Sequence, residues 1–69
     1  MDKFKLKKYI EKNGYTQRSL ACEIGINENT LRMKMNNASF GIVEVEKIAK
    51  ILDLTNDEIM DIFFDHFVA

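Results

Sequence analysis

The chain contains no proline, and its three glycines stand alone at positions 14, 25 and 41. A chain without proline and with isolated glycines reads as helices joined by short turns. The glycines and cap residues divide it into five helical pieces. In the first, Leu6, Tyr9 and Ile10 recur at helical spacing, and Asn13-Gly14 supplies the stop. Asn-Gly also favours a β-hairpin, but residues 17–24 do not alternate, which rejects it. Thr16 is the N-cap of a short second helix with Leu20, Ala21 and Ile24 inward, ended by Gly25. Asn27 caps a third helix of about eight residues with Leu31 and Met35 inward. The run Asn36-Asn37-Ala38-Ser39 has the composition of a loop. Gly41 precedes a fourth helix with Val45, Ile48, Ala49 and Leu52 on one face. Thr55 and Glu58 have capping-box spacing before Ile59, Ile62 and Phe63. The expectation is an all-α, compact five-helix fold, one domain over residues 1–69.

Length and composition narrow the function. A chain of 69 residues buries only about 60% of the surface exposed when unfolded. It has no room for a cofactor domain beside a substrate domain. With 46% hydrophobic and 30% charged residues, the composition is that of a soluble globular protein. No apolar stretch has the ~18 residues of a membrane span, and the basic N-terminal segment lacks the apolar run of a signal peptide. Cys22 is alone, so no internal disulfide forms and a reduced, cytoplasmic setting is expected. His66 has no second histidine or cysteine nearby, and Cys22 has no adjacent histidine or basic cluster. No metal site, catalytic thiol, cofactor or enzymatic activity is expected.

The net charge of −1 conceals an asymmetry. Residues 1–40 carry eight Lys/Arg against four acids, and residues 41–69 carry two lysines against seven acids. Such a chain can turn a basic face to a polyanion while remaining soluble. Scattered charges on solvated helix faces are the plainer account when charge is taken alone.

Residues 17–35 are the informative stretch. Ala21 is small where two helices would cross, and Gly25 follows four residues later, at a turn that favours glycine. With Leu20, Ile24, Ile26 and Leu31 inward, this is the pattern of a helix-turn-helix. In that motif the second helix offers its first turns to the DNA major groove. The segment Thr16-Gln17-Arg18-Ser19-Leu20-Ala21-Cys22-Glu23-Ile24-Gly25-Ile26 resembles the first motif helix and turn of Cro- and cI-repressor-type domains. The residues Asn29-Thr30-Leu31-Arg32-Met33-Lys34-Met35-Asn36-Asn37, Phe40, Glu44-Val45-Glu46-Lys47-Ile48-Ala49 and the ending Ile62-Phe63-Phe64 extend the likeness over nearly the whole chain. It is similar to short Cro-like regulators of temperate phages of low-GC Gram-positive bacteria. The resemblance implies a lambda-repressor-like fold, with the motif in helices 2 and 3. It also implies sequence-specific binding of double-stranded DNA by a transcriptional regulator of Cro-like repressor type.

The candidate contacts follow residue by residue. Asn29 suits an adenine edge and has no capping task; Glu28 suits a cytosine amino group or complements the helix dipole. Asn27 is an N-cap first and a contact second, and Thr30 completes that first turn. Arg32 reads equally as a guanine or phosphate contact and as a solvated arginine, while Met33 suits a thymine methyl. In the resembling family the residue matching Gln17 contacts the DNA backbone and braces the recognition helix. Arg18 reads equally as a phosphate contact and as a solvated arginine. Lys34 departs from the family pattern, which places an apolar residue there. Its stem is expected to cover apolar surface while its ammonium reaches outward near the DNA backbone. Asn36, Asn37 and Ser39 fall where the matching family loop approaches phosphates, and the two asparagines serve a turn equally well.

The last helix carries more apolar surface than a small core takes up. Ile59, Ile62 and Phe63 suit the core. Met60, Phe64, Phe67 and Val68 are expected to form a homodimer seam. Phe40 and Tyr15 read as packing residues. The acidic, aromatic C-terminal third admits an alternative: a protein-interaction module, such as an antirepressor, on the same scaffold.

Overall fold

The computed structural model describes residues 1–64. Five helices follow one another: α1 (Lys3–Lys12), α2 (Gln17–Ile24), α3 (Glu28–Asn37), α4 (Ile42–Ile51) and α5 (Asn56–Phe63), with no strand among the described residues. Each starts at a non-helical cap. The Asp2 carboxylate accepts from the Phe4 and Lys5 amides, and the side chains of Thr16, Asn27 and Thr55 accept from Ser19, Thr30 and Glu58 amides. At α4 the capping is reversed. Gly41 has no side chain to offer, so Glu44 reaches back and accepts from the Gly41 amide at 2.9 Å.

Four helices end in the same way. A residue with positive φ (Gly14, Gly25, Ala38 and Asp53) is followed by one whose amide donates five residues back. These bonds are Tyr15 to Ile10, Ile26 to Ala21, Ser39 to Lys34 and Leu54 to Ala49, all 2.9–3.0 Å. This is the Schellman motif, which satisfies carbonyls otherwise orphaned at a helix end. It also turns the chain sharply, so Tyr15, Ile26 and Leu54 fold back as half-buried packing residues.

The core is built from Leu6, Ile10, Leu20, Ala21, Ile24, Leu31, Met35, Ile48, Leu52, Ile62 and Phe63. Every helix contributes, and no polar residue among the described ones is buried. Phe40 meets Phe63 edge to face at 5.9 Å between centroids, within the range of a favourable aromatic pair. The Asp2 amide donates to the Ile62 carbonyl (2.9 Å) and Lys5 Nζ meets Asp61 Oδ1 (2.7 Å), fastening α1 to α5.

Three expectations are corrected. Asn36 and Asn37 are not loop: α3 runs through both, and Ala38 makes the turn in the left-handed region. Helical bonding continues past the buried Met35, and the turn closes when Ser39 caps the Lys34 carbonyl. On α4 only Ile48 and Leu52 of the expected stripe are fully buried; Val45 and Ala49 are half-buried. Phe64 is the C-cap of α5 at φ −125° and lies half-buried on the core, so it is not a helical position facing outward. Phe67 and Val68 lie outside the described residues, as does His66.

Candidate nucleic-acid interface

The motif is positioned by a short, glycine-made turn. Ala21 is 1% exposed where α2 meets α3, which lets the helices approach. Gly25, at φ 86°, ends α2, and Asn27 starts α3 two residues later. Asn27 Oδ1 accepts from the Thr30 amide at 2.7 Å, so its side chain serves as the cap. Leu31 and Met35 hold α3 to the core on one side. The opposite side is thereby turned to solvent.

That outward side carries Asn29, Arg32, Met33, Asn36 and Asn37, all exposed, with Met33 at 62%. Glu28 and Thr30 are half-buried at the first turn. Arg32 is held by two neighbours: Nη2 donates to Glu28 Oε2 and Nη1 to Asn29 Oδ1, both at 3.1 Å. The guanidinium and the Asn29 amide form one planar-group cluster on the helix surface. At about half exposure on both sides, the Arg32–Glu28 pair contributes only about 0.3–0.5 kcal/mol to stability. Opening the pair therefore costs the fold little.

The flanking candidates separate into two groups. Gln17 is half-buried as the first residue of α2 and lines a depression with Glu28, Arg32, Tyr15 and Lys7. Arg18 is exposed one position on. Asn36, Asn37 and Ser39 cluster at the α3 C-terminus. Lys34, by contrast, turns towards α4: its ammonium meets both Glu44 oxygens, at 3.1 and 3.2 Å. The Gly41 amide, and then Lys34, hold the Glu44 carboxyl below the usual carboxylate range. The outward cation expected at position 34 is therefore occupied with joining α3 to α4.

Two features escape the sequence reading. Lys3 Nζ donates to Asn36 Oδ1 at 3.2 Å, and Lys7 lines the same depression as Gln17 and Arg32, so α1 flanks the motif. The signal available was the spacing of four between Lys3 and Lys7. Separately, α4 and α5 border an apolar groove lined by Ile42, Val45, Ala49, Ile59 and Phe64, with Glu46 and Lys50 beside it. Ile42 is 77% exposed, and Met60 stands exposed on α5. Among the described residues no cluster of three or more His, Cys, Asp or Glu side chains could hold a metal, and no helix is long and apolar enough to cross a membrane.

No curated protein and no solved structure matches the chain. A family model of the Cro/C1-type HTH DNA-binding domain matches residues 5–65, a span that contains all five motif-bearing and supporting helices from Lys5 onward. The capped, outward-facing α3 seated on α2 through Ala21 and Gly25 is the architecture that this match requires, and the chain belongs to the Cro/C1-type helix-turn-helix DNA-binding domains.

Proposed function

We propose that this DNA-binding domain is a sequence-specific transcriptional repressor of the Cro-like kind, of phage or prophage origin, working in the cytoplasm without catalysis of its own. The observation that carries the reading is the exposed face of α3, where Asn29, Arg32 and Met33 stand together on a helix fixed from behind by Leu31 and Met35. Asn29 and Met33 read base edges. Arg32 leaves Glu28 to meet a guanine or a phosphate, and Glu28 is then free to accept from a cytosine. Asn27 and Thr30 set the first turn. Gln17, Arg18, Asn36, Asn37 and Ser39 engage the phosphate backbone and fix the register. Lys34 contributes from its place against Glu44. Repression follows from covering an operator that overlaps a promoter.

The protein acts as a homodimer through the α4–α5 groove and Met60. The support is the apolar lining together with the charges beside it. Glu46 and Lys50 are four apart on α4 and form no ion pair with another described residue. A twofold axis with the two α4 helices antiparallel sets Glu46 of each copy opposite Lys50 of the other. Two recognition helices then address half-sites about 34 Å apart.

Selection of duplexes bound from a random pool tests the reading. It should enrich one sequence, present twice with half-site spacing. Failure to enrich any duplex would refute it and leave the interaction-module alternative.

A further inference from the structure

The face of α1 that flanks the motif lies outside the core. Leu6 and Ile10 bury the other side of this helix, and Lys5 is paired with Asp61. Lys3, Lys7 and Lys8 have no carboxylate partner among the described residues. Between Lys3 and Lys7 stands Phe4, 70% exposed, a large apolar side chain placed in water. Both ammonium groups lie over its ring, at 5.5 and 5.7 Å from the centroid. The ring thus gathers two cations that would otherwise repel each other and spread apart.

This cluster runs alongside the recognition helix. Lys3 and Phe4 line one depression with Met35, Asn36 and Ala38, at the end of α3. Lys7 lines the next with Gln17, Glu28 and Arg32, towards its start. Glu11 also borders that second depression, and Glu28 there is engaged by Arg32. Asp2 is committed to capping α1.

We propose that Lys3, Phe4 and Lys7 form a second phosphodiester-binding surface, which carries the DNA footprint past the helix-turn-helix onto α1. Lys3 and Lys7 are separated by about 6 Å of helix rise. A duplex presents one phosphate per about 3.4 Å of axis on each strand, so the two ammonium groups reach separate phosphates. The Phe4 ring offers its apolar face to the sugar between them. Asn36 orients Lys3 towards the strand that its own helix follows.

The inference rests on the DNA-binding reading, and one titration separates the two. Binding of the full chain to a fluorescein-labelled 30-base-pair mixed-sequence duplex is followed by anisotropy over a salt series. The variants are Lys3→Gln/Lys7→Gln and, as a control on α4, Lys47→Gln. Loss of two phosphate contacts should lower the slope of log affinity against log salt by about 1.8 per chain. At 0.1 M salt that is roughly 60-fold weaker binding, if the lines meet near 1 M. Lys47→Gln should leave the slope unchanged. Equal slopes for wild type and the double variant, or an equal drop in Lys47→Gln, would overturn the α1 surface while leaving the DNA reading in place. A wild-type chain that does not bind the duplex overturns the DNA reading itself. Should the double variant lose helicity, the single variants are read instead, each expected to lower the slope by about 0.9.

Discussion

Ile42→Asp separates the proposed self-association from the folding of the chain. Ile42 is the first residue of α4 and is 77% exposed, so the monomer has little to lose from the change. An aspartate there lies at the positive end of the helix dipole, which favours it by about 0.3–1 kcal/mol. In the proposed seam, by contrast, Ile42 is covered in both copies. Full burial of such a side chain contributes about 1.5–3 kcal/mol. With roughly three quarters of the side chain still to be covered, the two copies together contribute about 2–4.5 kcal/mol. Removing that weakens dimerisation by about 30- to 2,000-fold. The carboxylate, forced into an apolar groove, adds to the loss. Val43→Asp is the control: Val43 is 63% exposed on the same helix but does not line the groove. Sedimentation equilibrium over a concentration series, with circular dichroism on each variant, reads the outcome. Ile42→Asp should be a helical monomer where wild type and Val43→Asp are dimers. Unchanged association of Ile42→Asp would refute the groove as the seam, and a wild type that stays monomeric at high concentration would refute the dimer.

Four further outcomes are expected. Asn29→Ala should relax base preference at one position of each half-site, at a cost of about 1–3 kcal/mol, read by repeating the selection. Arg18→Ala should reduce the salt slope by about 0.9, and Lys34→Ala by clearly less, because Lys34 is already engaged by Glu44. Gly25→Ala meets no atom within 4 Å but retains φ 86°, so it should cost about 1 kcal/mol; Ala38→Gly should gain about 0.5–1 kcal/mol by relieving the same strain. Thermal midpoints should move in opposite directions, by about 4–8 °C per kcal/mol. Amide and hydroxyl hydrogen bonds at Thr55 hold the Glu58 carboxyl low, as the Gly41 amide does for Glu44. Their stabilisation is complete above the ordinary glutamate pKa of about 4.3 and is lost as pH falls through the lower folded values. Glu44→Gln/Glu58→Gln should therefore flatten the acid limb of a stability–pH profile.

The caps show how far the fold can be read from residues. Thr16, Asn27 and Thr55 cap through their own side chains, and each is legible because residue type and task coincide. The Schellman turns divide evenly. Gly14 and Gly25 announce theirs, whereas Ala38 and Asp53 adopt positive φ without glycine's freedom, in a region that aspartate visits occasionally and alanine rarely. The extension of α3 through Asn36 and Asn37 was hidden as well. Asparagine favours turns in general, and here the bond from Ser39 to Lys34 sets the end instead. On α4 the segment Ile42–Ile51 is apolar on two adjoining faces. Helical period finds both but does not tell which one α2 covers. The recognition helix was legible, since Leu31 and Met35 fix its orientation and the outward residues follow from geometry. The flanking α1 surface was not, because its relation to α3 is made by contacts 33 residues apart.

The pairing of charges explains why an overall charge of −1 is compatible with a polyanionic partner. The acidic half does not screen the basic half indiscriminately. Asp61 engages Lys5 and Glu44 engages Lys34, two cations whose side chains tie α1 to α5 and α3 to α4. The cations without a carboxylate partner among the described residues include Lys3, Lys7 and Arg18, on the two helices that flank α3. Within α3 the Arg32–Glu28 pair is solvent-accessible and weak, so opening it costs the fold little. Carboxylates thus neutralise two lysines where they stiffen the scaffold, while Lys3, Lys7 and Arg18 beside the recognition helix are left uncompensated. The field that steers a duplex is set by that local distribution, which falls off over about 10 Å at moderate salt, and not by the sum over the chain.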